Sequence, residues 1–183
     1  MNRACFTAVA AVAAILAAVF SGGCANMMVL PAAPYSGLEA RPVKALSAED
    51  AAGYLAGEGM GFALAAELNG YPGPRHVLEL ADELELSAAQ RGKTQKLFLE
   101  MQTAAAALGK SVVAKETELD ALFSEQRADE NSLHNLTAEI ARLKGALRAA
   151  HLKYHLIIKS MLTSAQIARY NELRGYHEHR QHH

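Results

Sequence analysis

Two stretches of the chain repeat apolar residues at alternating steps of three and four, the heptad spacing of helices that pack side by side. The more regular stretch consists of Leu133, Leu136, Ile140, Leu143, Leu147, Ala150, Tyr154, Ile157 and Met161. An earlier stretch has the same period: Phe98, Met101, Ala105, Leu108, Val112, Lys115, Leu119 and Leu122. We therefore predict two long helices, each with one continuous apolar seam.

The two seams face each other without a slip if the chain reverses near Arg127–Ala128. Such a reversal places Leu108 opposite Leu147, and each of the eight residues of the earlier seam meets a partner on the later one. Lys115 is the one charged residue on either seam, and its aliphatic stem can carry the ammonium group out to water. The pattern predicts an all-α fold built on a long antiparallel helical hairpin with short flanking helices.

The composition agrees with one helical domain. The chain has 183 residues, of which 51% are hydrophobic and only 6% are aromatic, and no run of alternating β-branched residues predicts a strand. The formal net charge is −1, so no strong basic field points to nucleic acid as a partner. The two cysteines, Cys5 and Cys24, both lie near the N-terminus and cannot staple the body of the fold.

The first residues have the plan of a bacterial secretory signal. A short basic start, Met1–Arg3, precedes the apolar run Ala4–Phe20 and a group of small residues before Cys24. We assign residues 1–24 to this signal, which predicts a periplasmic protein. Two processing routes stay open: lipidation of Cys24, which would anchor the chain to the membrane, or cleavage after Ala25. A transmembrane helix is a further alternative, although the run is short for one.

The rest of the chain divides by composition. Residues 25–46 contain three prolines without periodicity and are predicted to form an extended linker. Residues 47–176 are predicted to form the all-helical domain, whose first short helix opens at Ser47 with acidic residues in its first turn. Another short helix is expected after Pro74. Residues 177–183 form a histidine-rich tail.

Two helix starts share one five-residue pattern. Leu86, Ser87 and Gln90 open the first long helix, and Leu162, Thr163 and Gln166 open the last helix. In each, a hydroxyl residue precedes a glutamine by three positions, which is the spacing of a capping box. Behind a secretion signal and around a long hairpin, these motifs resemble those of the LTxxQ-motif periplasmic family. The family contains the Spy and CpxP stress chaperones and the ZraP- and CnrX-like metal-responsive proteins.

The resemblance covers roughly residues 74 to 176 and implies several properties. It implies an all-helical fold that is usually a cradle-shaped homodimer in the periplasm. It also implies one of two functions, since members either bind unfolded client proteins or handle metals. The family label by itself does not choose between them.

Histidines are the candidate metal ligands. His151 and His155 lie one helical turn apart and face the same side, so they can bind Zn²⁺, Cu²⁺ or Ni²⁺ if a third ligand arrives. Gln102, Glu100 and His76 are candidates for that third position, and ordinary flank histidines are the alternative interpretation. The tail adds His177, His179, His182 and His183. A solvated tail without a metal role is the alternative there.

Apolar residues off the seams are the candidate client-binding surface: Leu97, Leu99, Leu152, Leu156 and Ile158. Residues of this kind at helical spacing are also commonly core, covered by other helices or a second subunit. What stays exposed would suit weak contact with unfolded chains.

We predict a non-catalytic accessory protein. The exported part has no nucleophile elbow and no glycine-rich loop leading from a strand into a helix, so an enzyme is not expected and no cofactor is required. The predicted function is that of a Spy/CpxP-type protein binding unfolded or stress-damaged envelope proteins. The alternatives are a periplasmic heavy-metal-binding or metal-sensing protein and a structural spacer. An envelope signalling protein is a further candidate partner.

Overall fold

The computed structural model describes residues 33–176, so residues 1–32 and 177–183 fall outside it. In this range the chain forms six α-helices: α1 (Ala48–Ala56), α2 (Leu64–Glu67), α3 (Pro74–Glu79), α4 (Ala88–Ser124), α5 (Glu130–Met161) and α6 (Ser164–Leu173). A short 3₁₀ helix, Leu38–Ala40, precedes them, and residues 33–176 contain no strand. The predicted all-α class and the predicted pair of long helices are confirmed.

Two assignments made from the sequence lie beyond these limits. The secretory signal with Cys24, and the tail histidines His177, His179, His182 and His183, are outside the described residues. Within residues 33–176, no helix has both the length and the apolar character needed to cross a membrane.

Helix starts follow from local capping chemistry. Ser47, Ser87 and Thr163 each accept a hydrogen bond from the amide three residues later, and the side chain at that position bonds back to the cap's own amide. These reciprocal bonds satisfy amides that have no partner inside the helix. The three caps expected from the sequence are therefore present. A fourth box, in which Asp129 pairs with Ser132, starts α5.

The core consists of two apolar clusters, and both long helices contribute to each. One cluster packs the region after α3 and the last helix against the long pair: Val77, Ala81, Leu84, Leu86, Leu97, Met101, Tyr154, Ile158, Leu162 and Tyr170. The other packs α1 and the segment before it: Val43, Leu46, Tyr54, Ala105, Val112, Leu143 and Leu147. Val43 and Leu46 are buried, so the packed part of the chain begins before the predicted boundary at residue 47.

Leu97 and Ile158 correct the sequence analysis. They were predicted to belong to an exposed client-binding surface, but they are only 9% and 0% exposed. The reason is that Tyr170 of α6 and the residues after α3 pack against this side of the long pair. The short helices therefore cover more of the long helices than their length suggested.

A glycine lets α1 approach the long pair closely. A Cβ at Gly109 of α4 would overlap with the carbonyl oxygen of Tyr54, so no larger residue fits without moving the α1 backbone. Gly57 ends α1 in the left-handed conformation, with φ at 69°, and lies against the backbone of α4 at Gln102. This contact holds the loop after α1 beside α4 and positions the site described next.

Candidate functional site

A cleft of about 650 Å³ lies beside the long pair. The loop between α1 and α2 forms one wall, the start of α3 forms another, and α4 and α5 contribute the remaining side chains. Its lining combines apolar and polar groups: Met60, Leu64, Phe98, Met101, Gln102, Glu67, His76, His151 and His155. It is the candidate functional site because it gathers three of the histidines of the described chain.

His151 and His155 both line the cleft, as their spacing of one turn requires, but their environments differ. The Nδ1 atom of His155 donates to the backbone carbonyl of Tyr71 at 2.7 Å. The ring of His151 stacks on Phe62, with 5.8 Å between ring centroids, and its Nε2 atom is buried without a hydrogen-bond partner. Both side chains are largely enclosed, at 2% exposure for His151 and 6% for His155.

The carboxylate of Glu67 is buried in the wall of the cleft. Its Oε1 atom accepts hydrogen bonds from the Tyr170 hydroxyl, from Nδ1 of His76 at 3.1 Å and from the Tyr176 hydroxyl at 3.4 Å. Its Oε2 atom accepts from the amide of Gly73 at 3.1 Å. This network joins α2, α3, α6 and the end of the described chain. Because a buried charge must be compensated by such donors, Glu67 mainly fixes the architecture around the cleft.

The network sets the protonation of its members. Burial acts to raise the pKa of Glu67, but hydrogen bonds from His76 and Tyr170 and the nearby histidine charges lower it below the usual 4.5. Burial, with the bond to Glu67, raises the pKa of Tyr170 far above 10.0. Burial also lowers the pKa of His151 from 6.5, and the neighbouring His155 adds to this effect. Glu67 is thus held ionised, while Tyr170 and His151 are held neutral.

The described residues do not complete the expected metal site. Within residues 33–176, no three His, Cys, Asp or Glu side chains lie close enough together to hold a metal ion. Of the third ligands considered from the sequence, Glu100 pairs with Lys96 at 3.9 Å, and Gln102 donates to the carbonyl of Ala56 at 3.4 Å. A metal site on His151 and His155 therefore stays a prediction that needs a ligand from outside this range.

The remaining candidate client-binding residues differ in exposure. Leu99 and Leu156 are 51% and 60% exposed, and Leu152 is half-buried. A second group of exposed apolar residues was missed by the sequence analysis: Leu55, Met60, Leu64 and Leu68. We call this group the rim segment, because Met60 and Leu64 line the cleft and the group spans the loop and helix that form its wall. The sequence did contain a signal for this group, because Leu64 and Leu68, one helical turn apart, lie between Gly61 and Gly70.

The two LTxxQ-like motifs meet in space. The side-chain nitrogen Nε2 of Gln90 donates to Oε1 of Gln166 at 3.0 Å and to the Met161 carbonyl at 3.0 Å. The side-chain nitrogen Nε2 of Gln166 donates to the Leu84 carbonyl at 3.1 Å. Each glutamine therefore completes its own capping box and also bonds to the other motif or to the chain beside it. Leu86 and Leu162, the first residues of the motifs, are both buried in the same core cluster.

No known protein family, no curated protein and no solved structure matches this chain. The resemblance to the LTxxQ-motif family therefore rests on the two motifs, Leu86–Gln90 and Leu162–Gln166, and on their sequence context.

Proposed function

We propose that the chain is an exported, non-catalytic binding protein of the Spy/CpxP type that holds unfolded or stress-damaged envelope proteins. The observation that carries the proposal is the rim segment. Its three leucines, Leu55, Leu64 and Leu68, are each more than half exposed, and Met60 is 37% exposed. Four large apolar side chains within fourteen positions of sequence form a concentration of exposed apolar surface that typically marks a binding region.

The chemistry beside the rim segment suits a weak, adaptable contact. Phe98 and Met101 extend the apolar lining of the cleft, and methionine and leucine side chains adapt their shape to different partners. Arg75 and Gln102 supply polar groups at the same site. An extended client can place apolar side chains on the rim while its backbone meets these polar groups. The carboxylate of Glu67 is engaged by Tyr170 and His76, so it serves the fold, which supports binding in preference to catalysis.

The arrangement of the long helices, the oligomeric state and the location of the protein are part of the same proposal. The long pair is proposed to be an antiparallel hairpin, because Met101 clusters with Tyr154 at one level and Val112 clusters with Leu143 at another. A cradle-like homodimer would cover part of the outer leucines, Leu99 and Leu156. In this proposal the protein works in the periplasm, with a lipid anchor if Cys24 is modified, and an envelope signalling protein is an alternative partner to unfolded clients.

The proposal is tested by suppression of aggregation of a reduced or heat-unfolded test protein, without ATP and with EDTA present. The double variant Leu64→Ser, Leu68→Ser should weaken client binding about tenfold or more, since burying each leucine contributes on the order of 1.5–3 kcal/mol. Phe123→Ser is the matched control, because Phe123 is 57% exposed on α4 near the chain reversal, away from the cleft.

Helix content and oligomeric state are measured for every variant, so that loss of fold or of a dimer is separated from loss of the client surface. Leu156→Ser tests, with the same measurements, whether the exposed face of α5 contributes to client binding. Failure of the unmodified protein to suppress aggregation at several-fold molar excess would remove the client-binding proposal. Equal losses of client binding in the Leu64→Ser, Leu68→Ser variant and in Phe123→Ser would contradict the assignment of client binding to the rim segment.

A further inference from the structure

We propose that the cleft binds a guanidinium group, carried either by an arginine side chain of a client or by a free small molecule. This binding deepens the proposed function, because it names one chemical group that the cleft accepts, and it rests on that function where the source is a client. Three features of the lining support it: hydrogen-bond acceptors, an excess of negative charge and apolar walls.

The side chains of the lining present hydrogen-bond acceptors. Nδ1 of His76 donates to the ionised carboxylate of Glu67, and Nδ1 of His155 donates to a backbone carbonyl, since neither partner oxygen can donate. In the neutral imidazoles the lone pair is therefore on Nε2. Gln102 uses its side-chain nitrogen on another backbone carbonyl, which leaves its Oε1 atom as an acceptor. A ligand that bonds to these atoms has to bring donors.

The charges of the lining favour a cation. Glu58 and Glu67 each contribute a carboxylate, and Glu58 is exposed. Among the described residues of the lining, Arg75 is the one arginine, and no lysine is present. The charge of Arg75 is compensated by Glu79, whose Oε1 atom lies 3.1 Å from Nε of Arg75. The excess of negative charge attracts a positively charged group and disfavours an anion.

His151 gives an independent sign of an unfilled hydrogen-bonding position at the cleft. It is one of the lining residues, it is only 2% exposed, and its Nε2 atom has no hydrogen-bond partner among the described residues. Buried polar atoms in folded proteins nearly all have a partner. An unpaired one in the wall of a cleft therefore indicates a place where a bound molecule can supply the missing bond.

The spacing of the acceptors favours a guanidinium group over a metal ion. Within residues 33–176, no three ligating side chains lie close enough together for one metal ion. A guanidinium group carries five N–H donors in a planar fork and no acceptor, so it reaches acceptors that are further apart. Phe98 adds an aromatic ring for the cation, and Met60 and Met101 add apolar surface for an aliphatic stem. The cleft volume of about 650 Å³ is typical of small-ligand sites.

The first test changes the ligand and leaves the protein intact. Capped arginine, N-acetyl-arginine amide, is compared with capped citrulline, which has a similar shape but a neutral urea group. Binding to the full chain is measured by NMR titration with EDTA present, at about pH 8, where an ordinary imidazole is neutral. Capped arginine should bind at least about tenfold more tightly, since hydrogen bonds from a charged donor are stronger. Equal affinity for the two probes would overturn the proposal.

The second test changes the acceptors of the cleft. Glu58→Gln removes a carboxylate, and His76→Asn keeps an N–H donor for Glu67 but removes Nε2; each should lower the affinity for capped arginine about threefold or more. Glu130→Gln is the matched control, because it removes an exposed carboxylate at the start of α5, near the chain reversal. The melting temperature of each variant is measured to check the fold. Unchanged affinity in both cleft variants, or an equal loss in Glu130→Gln, would overturn the proposal.

The third test distinguishes the two sources of the guanidinium group with the peptide acetyl-Leu-Arg-Leu-amide. If clients supply the group, the leucines of the peptide contact the rim segment, and the peptide should bind more tightly than capped arginine. Leu68→Ser should remove this gain and leave the binding of capped arginine unchanged, because Leu68 is 58% exposed and lies outside the cleft lining. A peptide that binds no better than capped arginine would support a free guanidinium compound as the ligand. Capped arginine needs no client to bind, so failure of client binding and failure of the guanidinium site are separate results.

Discussion

The two halves of the long helix pair differ in what surrounds them. The covered half, residues 88–112 and 143–161, shares both apolar clusters with the shorter helices and the segment before α1. The turn half, residues 115–124 and 130–142, has three buried apolar side chains, all from the long helices themselves: Leu122, Leu136 and Ile140. Phe123 and Leu133 are exposed there, at 57% and 39%.

The difference in cover also affects the charged and polar side chains of each half. In the turn half, exposed charges pair on the surface, as in Arg142–Glu139 at 2.8 Å and Lys115–Glu118 at 2.6 Å, where solvent screens the attraction. The exception is Glu116, which is 6% exposed and accepts from Lys144 of the facing helix at 2.6 Å. In the covered half, His151 is enclosed by protein, and Glu67 of α2, which lines the same cleft, is also buried. A polar group buried in this way must find partners or change its protonation. The cleft therefore arises where short helices cover the long pair, and the turn half resembles an isolated pair of solvated helices.

The largest expected effect comes from comparing two helix glycines, one at a close backbone contact and one on a solvated surface. Gly109→Ala should destabilise the protein by about 3 kcal/mol or more, because its Cβ meets the backbone of Tyr54. Gly145→Ala on α5 should stabilise it by up to about 1 kcal/mol, since no atom lies within 4 Å and alanine favours helix. Denaturant unfolding of both variants measures the contrast. Similar stability of the two would mean that α1 does not pack on α4 as described.

An intermediate effect concerns the Glu67 network. Tyr170→Phe removes a donor to the buried carboxylate and should destabilise the fold by about 1–3 kcal/mol. The pKa of Glu67 is lower in the folded state than its usual 4.5, so its stabilisation is complete above that value and is lost as the pH falls through the folded pKa.

Unfolding free energies measured between pH 3 and pH 7 should therefore show this acid dependence, which Glu67→Gln should reduce. Glu139→Gln is the control from the turn half, because Glu139 has a lowered pKa but an exposed partner in Arg142. An acid dependence that is equally strong in Glu67→Gln would contradict the assignment to the buried network.

The smallest expected effect compares linked and isolated capping boxes. Gln90→Ala and Gln166→Ala should show a coupling of about 1 kcal/mol in a double-mutant cycle, because their amides bond to each other. Asp129→Ala removes the cap that starts α5 and should destabilise the fold, and its effect should be additive with that of either glutamine substitution. Additivity of all three substitutions would show that the two motifs do not act as one unit.

The helices could be predicted because their signals are local. Heptad spacing and hydroxyl caps depend on residues three or four apart, so the long pair and the caps at Ser47, Ser87 and Thr163 were correctly expected. Leu97 and Ile158 were misassigned because the seam pattern describes contacts within the pair and does not report what covers its other side. Glu67 was missed since its partners lie up to 109 positions away in sequence.

By itself the sequence determined the elements: where the long helices run, where they start, and which residues can share a seam. Those properties follow from hydrogen bonding and side-chain spacing within a few residues of one another. Only the tertiary structure decided that His76, His155 and Tyr170 meet around one carboxylate, that the two LTxxQ-like motifs join, and that the apolar rim is exposed. The physical reason is that burial and charge compensation depend on packing between segments far apart in the chain, which no local pattern encodes.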